Sequence, residues 1–208
     1  MLDRYNYLVN ERKLTPEIIE LFQIKCIKSD MSYFREQLDD RFNNAVLIPI
    51  FDLYGNPLSV NARRFNIKPK YMHLSYEKSK NLFGLNFTYK DIIDKDEAIV
   101  VEGCFDLMQL YQNGIKNVVS VMGSAFTMRQ LCLLLRFTSK ICMIPDGDLA
   151  GEKSKKRIIK MLKGSGIELR FVDLPRGYDP DTFMQTFGRD RFIEMLEEKS
   201  LFKGKDLN

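Results

Sequence analysis

The sequence predicts an α/β protein: a parallel sheet with helices on both faces, preceded by a mixed α+β basic segment. Three observations predict it. From residue 97 onward, short continuous apolar runs alternate with helix-periodic stretches, the pattern of strands covered on both faces by helices. Before residue 97, two strand-like runs flank a turn, and the window 53–90 carries seven basic residues against one acidic residue, Glu77. The chain has 208 residues, 45% hydrophobic and 29% charged, an ordinary globular balance that excludes wholesale disorder and collagen-like repeats. The expected organisation is a basic segment over 1–90, the parallel-sheet domain over 91–175 and a helical segment over 176–208.

The elements follow in order. Thr15-Pro16-Glu17 starts a helix, with Thr15 as N-cap, Pro16 at the first helical position and Ile18, Ile19, Leu21 and Phe22 as its apolar face. Val46–Phe51 is strand-like, Asp52–Asn56 supplies turn chemistry and Pro57–Ala62 returns as the second strand of a hairpin, delivering Arg63 and Arg64. The alternating part then predicts strands at 98–101, 117–122, 140–144 and 168–172. Helices are predicted at 105–112, 128 to about 137 with Thr127 as cap, and 150–163 stopped by Gly164 and Gly166. Phe192, Ile193, Met195 and Leu196 mark a terminal helix, and the tail from Lys199 is expected to fray.

Several classes fall away. No apolar run approaches 18 residues; Leu131–Leu135 is among the longest, so no membrane span is predicted. The N-terminus lacks a basic segment followed by an apolar one, so the protein is expected to be cytoplasmic. Cys26, Cys104, Cys132 and Cys142 show no CxxC spacing and are expected to be buried free thiols. The net charge of +4 is too small to name a partner, but the 53–90 window interleaves its cations with Phe65, Tyr71, Tyr76, Phe83 and Phe87. That mixture suits gripping phosphates and stacking on bases; it equally suits a solvated basic face over an aromatic core. The only histidine, His73, reads as a surface or nucleic-acid-facing polar residue, and the basic helix from Lys153 to Lys163 as a solvated face or an extended nucleic-acid track.

Ligands of parallel α/β sheets bind beyond the carboxyl ends of the strands, and here those ends are acidic. Glu102 ends the first strand, Asp106 follows one helical turn later, Asp146 and Asp148 end the third, and Asp179 and Asp181 follow the fourth. Carboxylates gathered on one rim repel unless cations separate them, and oxygen ligands without His or Cys select Mg²⁺ or Mn²⁺. Such sites serve phosphoryl transfer. Asp179 and Asp181, beside Pro180, also suit a turn.

The segment Val101-Glu102-Gly103-Cys104-Phe105-Asp106, then Met122-Gly123-Ser124, then Asp146-Gly147-Asp148-Leu149-Ala150-Gly151 resembles the TOPRIM domain of bacterial DnaG-type primases. Upstream, Ile48–Asp52, Ala62-Arg63-Arg64, Pro69-Lys70-Tyr71 and Leu82–Leu85 are similar to that family's basic subdomain, and Tyr178-Asp179-Pro180-Asp181 resembles its EDPD loop. The resemblance implies template-directed synthesis of short RNA primers on single-stranded DNA from NTPs, with Mg²⁺ or Mn²⁺. It implies metal and acid/base roles for Glu102, metal binding by Asp146 and Asp148, and further ligation by Asp106, Asp179 and Asp181. Arg63 or Arg64, Lys70, Tyr71 and Lys78 (or Lys80) correspond to positions that grip nucleotide or template.

The family's zinc module and helicase-interaction domain have no counterpart in the sequence, so no zinc is expected in this chain. A separate zinc-module protein and a replicative helicase are the implied protein partners. The rival reading is a weakly active or non-catalytic TOPRIM protein that binds single-stranded DNA as a replication accessory factor of a phage or plasmid. A TOPRIM nuclease is disfavoured by the basic segment upstream.

Overall fold

The computed structural model describes residues 2–123, 125–162, 166–198 and 202–203. They form two compact units divided between Glu77 and Lys78.

The first unit opens with α1 (Leu2–Asn6) running into a π-turn at Tyr7–Glu11. Next comes α2 (Pro16–Leu21), capped as the sequence predicts: the Thr15 side chain accepts from the Ile18 amide. Strands β1 (Ala45–Phe51), β2 (Pro57–Arg64) and β3 (Tyr71–His73) form an antiparallel sheet in the order β1-β2-β3. Asp52 makes the hairpin turn, its Oδ1 accepting from the amides of Tyr54 at 2.9 Å and Asn56 at 2.8 Å. Ala45 and Leu47, two residues apart, share a face with Val60 and Ala62 on β2. Single 3₁₀ turns before β1 lay Met31, Phe34, Leu38 and Phe42 onto that face as a small core.

The second unit holds α3 (Leu85–Lys95), then β4 (Ala98–Val101), α4 (Cys104–Gln112), β5 (Val118–Ser120) and α5 (Met128–Leu134). It continues with β6 (Lys140–Met143), α6 (Leu149–Leu162), β7 (Glu168–Phe171), α7 (Pro180–Glu197) and β8 (Phe202–Lys203). The strand order is β5-β4-β6-β7-β8, parallel from β5 to β7, with β8 antiparallel on the edge. All of β4 is buried, as a central parallel strand requires. From β4 the chain steps to β5 on one side and later returns to β6 on the other. Right-handed crossovers in this order put α4 on one face and α5 and α6 on the other, and α7 packs against α4. The order reverses between β4 and β6, where ligands of open α/β sheets bind.

The structure departs from the sequence expectations in several places. The units divide at 77/78 rather than 90/91, because the turn at Lys78–Lys80 packs on α5 and α3 on β5; α3 itself was not legible as a helix in the sequence. The 176–208 segment does not stand apart, since α7 begins at Pro180 and packs on α4. Gly188, at φ 79° and ψ 175°, interrupts α7, which hides its periodicity from a simple helical count. Within the tail expected to fray, 202–203 pair with β7, while the rest of 199–208 lies outside the described residues. So do Ser124 and Gly164 of the expected motif and helix stop. All four cysteines are free, but only Cys104 and Cys142 are buried; Cys132 is on the solvent side of α5. Among the described residues, no helix is long and apolar enough to cross a membrane.

Candidate active site

The end of β4 delivers Glu102, and the end of β6 delivers Asp146, so the two acids flank the point where the strand order reverses. Each keeps one carboxylate oxygen, Glu102 Oε1 and Asp146 Oδ1, buried without a hydrogen-bond partner. Burial raises the Glu102 pKa; the Asp148 charge adds to the rise, while a backbone hydrogen bond from Asp146 and the charge of Arg157 oppose it. Asp146 is pushed up to about 7, by burial first and then by the charges of Glu102, Asp179 and Asp148. Crowding of like charges in a half-buried pocket is the common cause.

Asp106 lies deeper, at 6% exposure. Its Oδ2 accepts from the Gly103 amide at 2.8 Å and its Oδ1 from the Asp181 amide at 3.2 Å. Burial holds its pKa well above the usual carboxylate range, the charges of Asp179, Asp146 and Asp181 add to this, and the Gly103 N–H opposes it. Asp148 Oδ1 accepts from the Gly151 amide at 2.8 Å and thereby caps the start of α6. Asp179 is the N-cap of α7, accepting from the Thr182 amide at 2.7 Å. Asp181 is fully buried and its Oδ1 accepts from Gln185 Nε2 at 2.7 Å.

The six acids therefore share one end of the sheet and feel one another's charge. Among the described residues, no group of three or more His, Cys, Asp or Glu side chains is disposed to hold a metal. Asp148 and Asp179 direct oxygens to helix caps, and Asp106 is engaged by two amides. Glu102 and Asp146 do fit a hard divalent cation: both are oxygen donors, both are strained by like charge, and both hold an unpartnered buried oxygen.

Two glycines let the loop fold this tightly. A Cβ on Gly147 would stand 2.4 Å from the Pro175 carbonyl oxygen, and one on Gly151 would stand 2.1 Å from that of Asp146. Gly147 and Gly177 also exchange backbone hydrogen bonds with the neighbouring segment, Gly147 N to Tyr178 O at 2.9 Å and Gly177 N to Gly147 O at 3.0 Å. A cleft beside this loop is lined by Asp146, Asp148, Leu149, Lys153, Leu174 and Arg176.

Of the expected basic residues, Lys78 belongs to this unit. Its ammonium lies 3.0 Å from where a Cβ on Gly123 would stand, and the Gly123 amide donates to the Glu102 carbonyl. Burial lowers the Lys78 pKa, against the opposing influence of Cys104. Lys80 is exposed and faces Met128 and Cys132 instead. Arg63, Arg64, Lys70 and Tyr71 belong to the first unit. The Arg63 guanidinium lies 5.1–5.5 Å from the ring centroids of Phe65, Tyr7 and Tyr71, close enough for cation–π attraction, and it donates to the Arg64 carbonyl. Arg64 donates two hydrogen bonds to the Pro69 carbonyl. Lys70 is exposed, and Tyr71 is 41% exposed. His73 is exposed too, its ring 5.5 Å from that of Tyr76.

A Toprim-like family model matches residues 99–184, which run from β4 into α7. The chain is 40% identical over 163 residues to a DNA primase of Aquifex aeolicus, covering 76% of this chain and 33% of that protein. The crystal structure of the Aquifex aeolicus primase, with its zinc-binding and RNA polymerase domains, superposes at a TM-score of 0.83 with 32% identity, over 93% of this chain and 55% of that one. The chain belongs to the DnaG-type primase family. A DnaG primase catalytic domain bound to single-stranded DNA also superposes, at a TM-score of 0.78 with 26% identity, over 93% of this chain and 70% of that one. The chain spans about a third of the length of the curated primases it matches.

Within this primase-family chain, sequence reasoning did not single out Arg157, whose charge reaches Glu102 from α6. Nor did it find Tyr7, a third ring beside Arg63. Neither has a local signal, because each is brought to its neighbour by packing between distant segments.

Proposed function

We propose that this chain is a primase catalytic core that makes short RNA primers on a single-stranded DNA template by metal-dependent nucleotidyl transfer from NTPs. The observation that carries this reading is the pair of unpartnered buried oxygens on Glu102 and Asp146, at the switch point of a primase-family fold. Glu102, Asp146 and Asp148 are the proposed holders of Mg²⁺ or Mn²⁺, with Asp106, Asp179 and Asp181 as the outer acids. When bound, such an ion neutralises charge on the phosphoryl group being transferred.

The chain's own groups have separate tasks. Glu102, whose pKa burial raises, is the proposed acid/base group, and Asp146, pushed up to about 7 without a cation, gives up that proton to hold the ion. Lys78, at the end of β5, supplies a point charge for a phosphate. In the first unit, Lys70 meets backbone phosphates, Tyr71 offers a ring to a base, and Arg63 and Arg64 contribute positive charge. A zinc-module protein and a replicative helicase complete the proposed partners.

The second reading, a DNA-binding accessory protein, is favoured by one observation: Asp148 and Asp179 each commit a carboxylate oxygen to a helix cap. A primer-synthesis assay decides between them. It uses mixed-sequence single-stranded templates, NTPs, and Mg²⁺ or Mn²⁺, with and without a zinc-module partner. The proposal expects short RNA from the wild type and none from Asp146→Ala, with DNA binding intact in both. A wild type that binds DNA but makes no primer under every condition makes the chain a binding protein.

A further inference from the structure

We propose that the Tyr178–Phe187 ring pair is a stacking platform for a nucleobase of single-stranded nucleic acid, next to the strand-end carboxylates. The inference deepens the reading above, since it rests on this end of the sheet working on nucleic acid.

Three rings meet at the start of α7. Phe183 is buried at 2% exposure and packs on Phe192 with centroids 6.0 Å apart. Phe187, one helical turn later, lies 4.7 Å from Phe183, and Tyr178 lies 5.3 Å from Phe187. Phe183 fills the core, yet Phe187 is left 47% exposed, and Tyr178 is half-buried. An outward-facing aromatic surface thus stands on a buried aromatic anchor.

The position of this surface identifies its ligand. Tyr178 immediately precedes Asp179, and its carbonyl accepts from Gly147, between Asp146 and Asp148, at 2.9 Å. Its amide donates to Pro175 O at 3.1 Å, so the backbone carrying the ring is held at both groups. Arg176, exposed two residues upstream, adds the cation that a sugar–phosphate backbone needs. Aromatic side chains with a nearby cation bind single strands by stacking on bases of any sequence.

The test compares binding of a thymidine oligonucleotide with that of an abasic oligonucleotide of equal phosphate number, by fluorescence anisotropy in EDTA. A 2-aminopurine probe reports stacking directly, because the chain has no Trp. The wild type is expected to bind the base-bearing strand more tightly and to quench the probe. Phe187→Leu and Phe187→Ser should each weaken that strand by about tenfold, leave abasic binding unchanged and reduce quenching; Tyr178→Phe should behave as wild type. Phe187→Leu keeps an apolar side chain, so an effect shared by both substitutions is not a packing defect, and thermal melts confirm the fold. Equal wild-type affinity for the two strands, or an equal loss for both strands in the variants, overturns the platform. Because no metal or NTP is present, base-dependent binding by a chain that makes no primers would leave the platform standing while the polymerase reading falls.

Discussion

Asp146 shows how position converts an ordinary side chain into a responsive one. Its pKa, normally 3.8, is raised to about 7 by burial and by neighbouring acids. The folded state then holds a proton that the unfolded chain releases near pH 4. Stability without metal should therefore fall as pH rises from about 4 to about 7, because the native state binds more protons over that window. Asp146→Asn should reduce this dependence, leaving the part that Glu102 and Asp106 contribute, and its melting temperature in EDTA should exceed that of the wild type at pH 8. Melting curves across pH 4–8 check both, and a wild-type curve as flat as the variant's would refute the raised pKa. Mn²⁺ competes with the same proton and binds the native state, so its stabilising shift should grow as pH rises through about 7 and shrink in Glu102→Gln. Titration calorimetry at pH 6 and 8 measures it.

At the scale of elements, the segment from β6 into α6 is defined by close backbone approach. Gly151→Ala would place a methyl 2.1 Å from the Asp146 carbonyl oxygen, and the neighbour is backbone rather than a side chain that can swing away. The substitution should cost about 1–3 kcal/mol in urea unfolding and displace both Asp146 and the Asp148 cap. A value near zero would mean that the loop relaxes freely. The α2 cap is the contrasting case: Thr15→Ala should cost about 1 kcal/mol through the lost Ile18 amide bond and leave primer synthesis and metal response untouched. Comparing the two variants by unfolding and by Mn²⁺ response separates a helix start that only stabilises from one that also places the acidic residues.

At the scale of the whole molecule, charge is divided between the units. Lys70 is exposed in the first and Lys78 half-buried in the second. If Lys70 meets a phosphate, Lys70→Ala should weaken single-stranded DNA binding and reduce the salt slope by about 0.7. Arg63→Ala should do more, because it also empties the space between Tyr7, Phe65 and Tyr71, lowering stability as well as affinity. Salt titrations of binding beside thermal melts distinguish the two, and an unchanged slope in Lys70→Ala would restore the solvated-face reading.

The sequence by itself determined the alternation of strands and helices, the hairpin at Asp52–Asn56, the Thr15 cap and the acids that end β4 and β6. These rest on local periodicity, turn chemistry and capping, which neighbouring residues specify. It did not reveal α3, because helical periodicity there is mixed with basic and aromatic residues read as a binding window, nor the start of α7, whose regular count Gly188 breaks. Only the tertiary structure decided that Lys78, not Lys80, reaches the strand ends, that Asp148 and Asp179 cap helices, and that Asp106 accepts an amide from Asp181, 75 residues away. Burial and hydrogen bonding are set by neighbours that packing brings together across the chain, so which oxygens remain for a cation is a property of the folded molecule.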